Sequence, residues 1–135
     1  MNKHIVLPIG EQKRELADIR EQSQKEEEPL GVFARLFNKS KPARILDFII
    51  ENKIDSYTIP EISRALNVSL MTTFGTIKKF ERLGLVKLDR IAGNTRLYKY
   101  NEGSEALTLL DRVSLLIASI EIDQELKRQQ QELIH

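Results

Sequence analysis

Between Pro60 and Arg90 the chain reads PEISRALNVSLMTTFGTIKKFERLGLVKLDR, and the apolar spacing of this segment defines two helices separated by a tight turn. Ile62, Ala65 and Leu66 share one face of the first helix, and Val68 fills the angle that follows. Ser69 stands where a side-chain oxygen can cap the second helix. Thr73, Ile77 and Phe80 recur at spacings of four and three, so they point back into a core. The outward positions are then Leu70, Met71, Phe74, Gly75 and Lys78, with Thr72 and Thr76 at the flanks. That face is left to meet a partner.

The residues after this pair suit a β-hairpin. Leu85 to Ile91 forms one strand, Ala92-Gly93-Asn94 a turn and Thr95 to Asn101 the return, because Gly and Asn tolerate the positive φ of tight hairpins. Arg90 and Arg96 flank the tip. Upstream, Ser40 and Pro42 mark a helix start, and Ile45, Leu46, Phe48, Ile49 and Ile50 line a buried helix ending near Asn52. Tyr57-Thr58-Ile59, followed by Pro60, is expected as a small edge strand. Before Pro29, residues 11–28 are dense in Glu, Lys, Arg and Gln, with Leu16 and Ile19 their only large apolar side chains, which describes a charged arm or solvated helix. Val32, Phe33, Leu36 and Phe37 add a short amphipathic piece.

Downstream, Ser104 is placed as a cap for a long helix carrying Ala106, Leu107, Leu109, Leu110, Val113, Leu116, Ile117, Ile120 and Ile122. Its reach is ~45 Å at 1.5 Å per residue, more than a small domain can cover, and its apolar stripe is too wide to leave in water. Self-association through Leu107, Leu110, Val113, Leu116, Ile117 and Ile120 is the expected solution. The expected organisation is therefore an arm with a short amphipathic helix over residues 1–41, a central domain over 42–101 and a dimerisation helix over 102–135. The fold class is mainly α with a small β-wing.

Charge decides what the central domain faces. Residues 42–101 carry 10 basic and 6 acidic side chains, whereas residues 102–135 carry 3 and 7. A basic middle beside an acidic tail is the pattern of a chain whose middle meets a polyanion. Over the second helix and hairpin the cations are Lys78, Lys79, Arg82, Lys87, Arg90, Arg96 and Lys99, against Glu81 and Asp89 alone.

Other function classes find little footing. The chain has no cysteine, which removes disulfides, thiolate metal sites and thiol nucleophiles. His4 and His135 stand alone at the two ends, Glu26-Glu27-Glu28 lacks ligand spacing, and no glycine-rich phosphate loop occurs. No stretch approaches the ~18 uncharged residues of a membrane span, so a cytoplasmic protein is expected. No enzyme activity, metal or cofactor is expected, and no effector ligand is named by these residues.

With Glu61-Ile62-Ser63, Leu66, Val68-Ser69, Phe80 in a position usually held by leucine, and Gly84-Leu85-Val86, residues 42–101 resemble the winged helix-turn-helix regulators of the MarR-like and ArsR-like kind. The resemblance implies a homodimer on double-stranded DNA, with a recognition helix in the major groove and a basic wing on the backbone or minor groove. The implied contact set is Ser69, Leu70, Met71, Thr72, Phe74, Gly75, Thr76, Lys78, Lys79, Arg82, Arg90, Asn94 and Arg96. The unusually apolar outward face keeps two alternatives open, a winged-helix protein-interaction module and an architectural DNA binder of low specificity.

Overall fold

The computed structural model describes residues 29–134. The expectations for the charged arm, for His4 and for His135 lie outside them. Five helices and one hairpin follow in chain order: α1 (Val32–Leu36), α2 (Lys41–Glu51), α3 (Ile59–Leu66), α4 (Leu70–Arg82), β1 (Val86–Ala92), β2 (Thr95–Tyr100) and α5 (Glu105–Ile134). A helix–turn–helix pair leading into a two-stranded antiparallel hairpin is the winged-helix architecture.

Local chemistry accounts for most of the boundaries. Ser40 caps α2 by accepting the Ala43 N–H, with proline in the first turn. Asn67, in the left-handed region at φ 52°, ends α3 and turns the chain into the Ser69 cap of α4. Ser69 Oγ accepts the Thr72 N–H at 3.1 Å. At the far end of α4, Gly84 takes φ +77° while its N–H reaches Glu81 O and the Leu85 N–H reaches Phe80 O. This Schellman closure satisfies two carbonyls that a helix end would otherwise leave unpaired.

One expectation is corrected at residues 57–59. Only Tyr57 pairs as a strand residue, exchanging both backbone hydrogen bonds with Tyr98 at 2.8 Å. Thr58 instead caps α3 in a reciprocal box: its Oγ1 accepts the Glu61 N–H, and Glu61 Oε1 accepts the Thr58 N–H. Helix capping outweighs strand extension here because it satisfies two orphan donors at once. The hairpin turn is also tighter than expected, since Ala92 pairs with Thr95 and leaves only Gly93 and Asn94 unpaired at the tip.

The core draws on every segment. Ile45, Ile49 and Ile50 of α2 meet Ile62, Val68, Ile77, Phe80, Leu85, Val86, Tyr98 and Tyr100, with Phe33 added from α1 and Leu107 from α5. α1 is seated by a buried carboxylate: Asp47 accepts the N–H groups of Phe33 at 2.9 Å and Ala34 at 2.8 Å. Gly31 lies so close to it that an added Cβ would stand 2.3 Å from Asp47 Cγ.

α5 is rooted at its start and exposed beyond. Ser104 Oγ caps it by accepting the Leu107 N–H, and the buried Asp111 accepts from Lys53 Nζ at 2.6 Å and from the Tyr100 hydroxyl at 3.1 Å. Nearly three turns on, Arg35 of α1 pairs with Glu121. Every residue from Ile122 to Ile134 is exposed.

Candidate nucleic-acid interface

α4 is gripped along one side only. Thr73, Thr76, Ile77 and Phe80 are buried, while Leu70, Met71, Phe74, Gly75, Lys79 and Arg82 are exposed. Thr76 is a correction: it was expected at the flank of the outward face, yet it is 8% exposed. Positions three and four beyond Thr73 both lie on the buried stripe, so Thr76 shares the fate of Ile77.

Ser69 and Thr72 stand at the helix start with their side chains engaged, since Ser69 Oγ donates to Thr72 Oγ1 at 2.9 Å besides accepting the Thr72 N–H. Lys78, expected to point outward, is half-buried. Its ammonium donates to Glu81 Oε1 at 2.9 Å and lies 5.9 Å from the centre of the Tyr98 ring. The hydrogen bond to Glu81 raises its pKa, with the proximity of Tyr98 next, so the group is fully cationic at neutral pH.

Arg90, Asn94 and Arg96 are all exposed on the wing. The strands pair with one irregularity: Leu88 faces Tyr98 and Arg90 faces Leu97, leaving Asp89 as an extra residue. Ser56 Oγ donates to this Asp89 carboxylate at 2.5 Å. A bulge shifts the alternation of every side chain beyond it by one. Asp89 therefore decides how Arg90 is presented, a positioning role the sequence reading missed. The signal was there, because the apolar residues run Val86, Leu88, Ile91, and a spacing of three breaks strand period.

Ion pairing sorts the cations. Lys78 is held by Glu81 and Lys87 by Glu102, whose carboxyl is lowered chiefly by that hydrogen bond. Lys79, Arg82, Arg90 and Arg96 have no ion-pair partner among the described residues, and all four are exposed. The interface thus has an apolar patch on the first turns of α4 and unneutralised cations at the end of α4 and on the wing.

The expected dimerisation set divides in two. Leu107 is a correction: it is fully buried within its own protomer, because the first turn of α5 plugs the core. Leu110 is half-buried against the same core. Val113, Leu116 and Ile120 are exposed, Ile117 is half-buried, and Leu109 extends their row. A second exposed row, Leu115, Ile122, Leu126 and Leu133, runs along another side of α5.

A cleft of about 840 Å³ opens among α1, α2 and α3, with Arg44, Asp47 and Glu51 in its lining. Burial, with Asp47 nearby, pushes the Glu51 carboxyl above its usual range. Among the described residues no cluster of three or more His, Cys, Asp or Glu is placed to hold a metal ion, and no helix is long and apolar enough to cross a membrane.

No family model matches the chain, and no curated protein does. Among solved structures it is similar to ZitR from Lactococcus lactis, with 18% identity over 96% of this chain and 92% of that one and a TM-score of 0.49. It is also similar to the adhesin competence repressor AdcR from Streptococcus pyogenes, with 9% identity over 92% and 83% and a TM-score of 0.49. A third similar structure is a variant of MepR from S. aureus, with 15% identity over 95% and 97% and a TM-score of 0.43.

Proposed function

We propose that this protein is a homodimeric regulator of transcription that binds double-stranded DNA, with α4 in the major groove and the β1–β2 wing on the backbone or minor groove. It works by binding rather than catalysis, and in the cytoplasm. The observation that carries this reading is the set of four exposed cations without ion-pair partners, Lys79, Arg82, Arg90 and Arg96, at the end of α4 and on the wing. Cations placed this way gain affinity for phosphates by releasing condensed counterions. Ser69, Thr72 and Asn94 would add uncharged contacts to the backbone.

Dimerisation through the outer row of α5 would set two copies of α4 on successive grooves about 34 Å apart, which calls for a site of two-fold symmetry. A gel-shift titration over a salt series tests the reading. Affinity should fall steeply with salt, and bands on preferred genomic duplexes should survive competitor DNA. Absence of binding at low salt would sink it. A protein-interaction role is the second reading, favoured by the exposure of Leu70, Met71 and Phe74, and it predicts that absence.

A further inference from the structure

The base-facing end of α4 is nearly devoid of hydrogen-bonding groups. Helix-turn-helix proteins touch base edges mainly with the N-terminal residues of the recognition helix. Here those positions are Leu70, Met71, Phe74 and Gly75, and Met71 is 85% exposed. α4 contains neither Asn nor Gln, and its one arginine, Arg82, is its last residue. Lys78 is drawn aside to Glu81 and Tyr98, and Thr72 is engaged with Ser69.

In the major groove, the thymine C5 methyl is the one apolar group on any base edge. An apolar side chain laid against a polar edge strips water without replacing it, whereas against a methyl it gains contact. The charge at the end of α4 and on the wing selects the occupant: exposed Lys79, Arg82, Arg90 and Arg96 complement a polyanion rather than an apolar protein surface. Gly75 points the same way. Glycine is unfavourable inside a helix, yet a Cβ at this position would meet nothing within 4 Å in the protomer. No packing within the described fold requires its bareness, while close approach of a base pair would.

We propose that α4 reads thymine methyl groups through Met71 and Phe74, with Gly75 leaving room for the approach, so that sequence preference arises from apolar contact instead of hydrogen bonding. This inference rests on the DNA-binding reading above. The test measures anisotropy of short duplexes of equal length with the full chain at low salt: alternating dA-dT, alternating dA-dU, which differs only by lacking the methyl, and alternating dI-dC with and without 5-methylation of cytosine. The expected preference is about fourfold for each methyl covered, in favour of dA-dT over dA-dU and of methylated over unmethylated dI-dC. Met71→Ala and Phe74→Ala, both at exposed positions, should lower that ratio, with dA-dT losing more affinity than dA-dU. Gly75→Ala should keep the fold and weaken dA-dT binding selectively. Equal affinity for dA-dT and dA-dU, or a ratio unmoved by both Met71→Ala and Phe74→Ala, overturns methyl reading but leaves DNA binding standing. Failure to bind any of these duplexes overturns the DNA reading itself and leaves this face to a protein partner.

Discussion

α4 and α5 begin alike and end differently. Each is capped by a serine, each buries one side in the same core, and each leaves apolar residues in water on the other. On α4 the exposed Leu70, Met71 and Phe74 share their helix with Lys79 and Arg82, cations without ion-pair partners among the described residues. On α5 the exposed Leu109, Val113, Leu116 and Ile120 share a segment in which 7 acidic residues outnumber 3 basic ones. The rim decides the partner: a cationic rim recruits a polyanion, and an acidic one repels it. For α5 the proposed occupant is a second copy, since two such rows laid together would bury each other's apolar side chains.

The largest expected effect comes from breaking the α5 side. Leu116→Glu with Ile120→Glu alters exposed residues only, so each protomer should fold, but sedimentation equilibrium should show mass falling from twice 15.6 kDa to 15.6 kDa. Tight binding to a two-fold site should vanish with it. An unchanged dimer would move the interface to the second row, Leu115, Ile122, Leu126 and Leu133.

Next in size is the wing. Arg90→Ala with Arg96→Ala removes four arginines per dimer, so it should weaken binding to all duplexes alike and make the slope of log affinity against log salt shallower by about 3.6, at roughly 0.9 per phosphate contact. A change in site preference with an unaltered slope would assign these residues to bases instead of phosphates.

The root of α5 gives an intermediate effect on stability. Asp111→Ala removes the acceptor of the Tyr100 hydroxyl and of Lys53, and urea unfolding should show a loss of about 2 kcal/mol, the usual cost of leaving a buried donor unpaired. A loss well under that would mean that water reaches Tyr100.

The smallest effect belongs to the Arg35–Glu121 pair, which is substantially exposed on both sides. Its hydrogen bond holds the Glu121 carboxyl below the ordinary carboxylate range. A depressed folded-state pKa means that the stabilisation is present above the unfolded value, about 4.3, and is lost as pH falls through the folded one. Glu121→Gln should therefore reduce neutral stability only slightly and flatten the acid limb of a stability profile. A large loss at neutral pH would show this contact to be a structural hinge between α1 and α5 rather than a surface pair.

How much of this was legible in the chain depends on the range of the interactions. The caps at Ser40, Ser69 and Ser104, the angle at Val68 and the hairpin at Gly93 and Asn94 are local, set by side chains within a few residues of the backbone they serve. So too is the buried stripe of α4 at Thr73, Ile77 and Phe80, because helical period alone selects it. The candidate interface was readable as far as its cations and its apolar patch, both of which follow from order along the chain.

What folding alone settled involves partners distant in sequence. Asp47 is buried because α1 returns to it from 13 and 14 residues upstream, and Asp111 because Lys53 and Tyr100 converge on it. Leu107 became core rather than interface because the start of α5 closes the domain, and no period distinguishes one buried face from another. Lys87 was neutralised by Glu102, 15 residues further along the chain. Sequence order thus determined the helices, the wing and the sign of the charge they carry, since those depend on near neighbours. Which charges remained unneutralised, and which apolar side chains stayed in water, was decided only when distant segments packed and claimed the others.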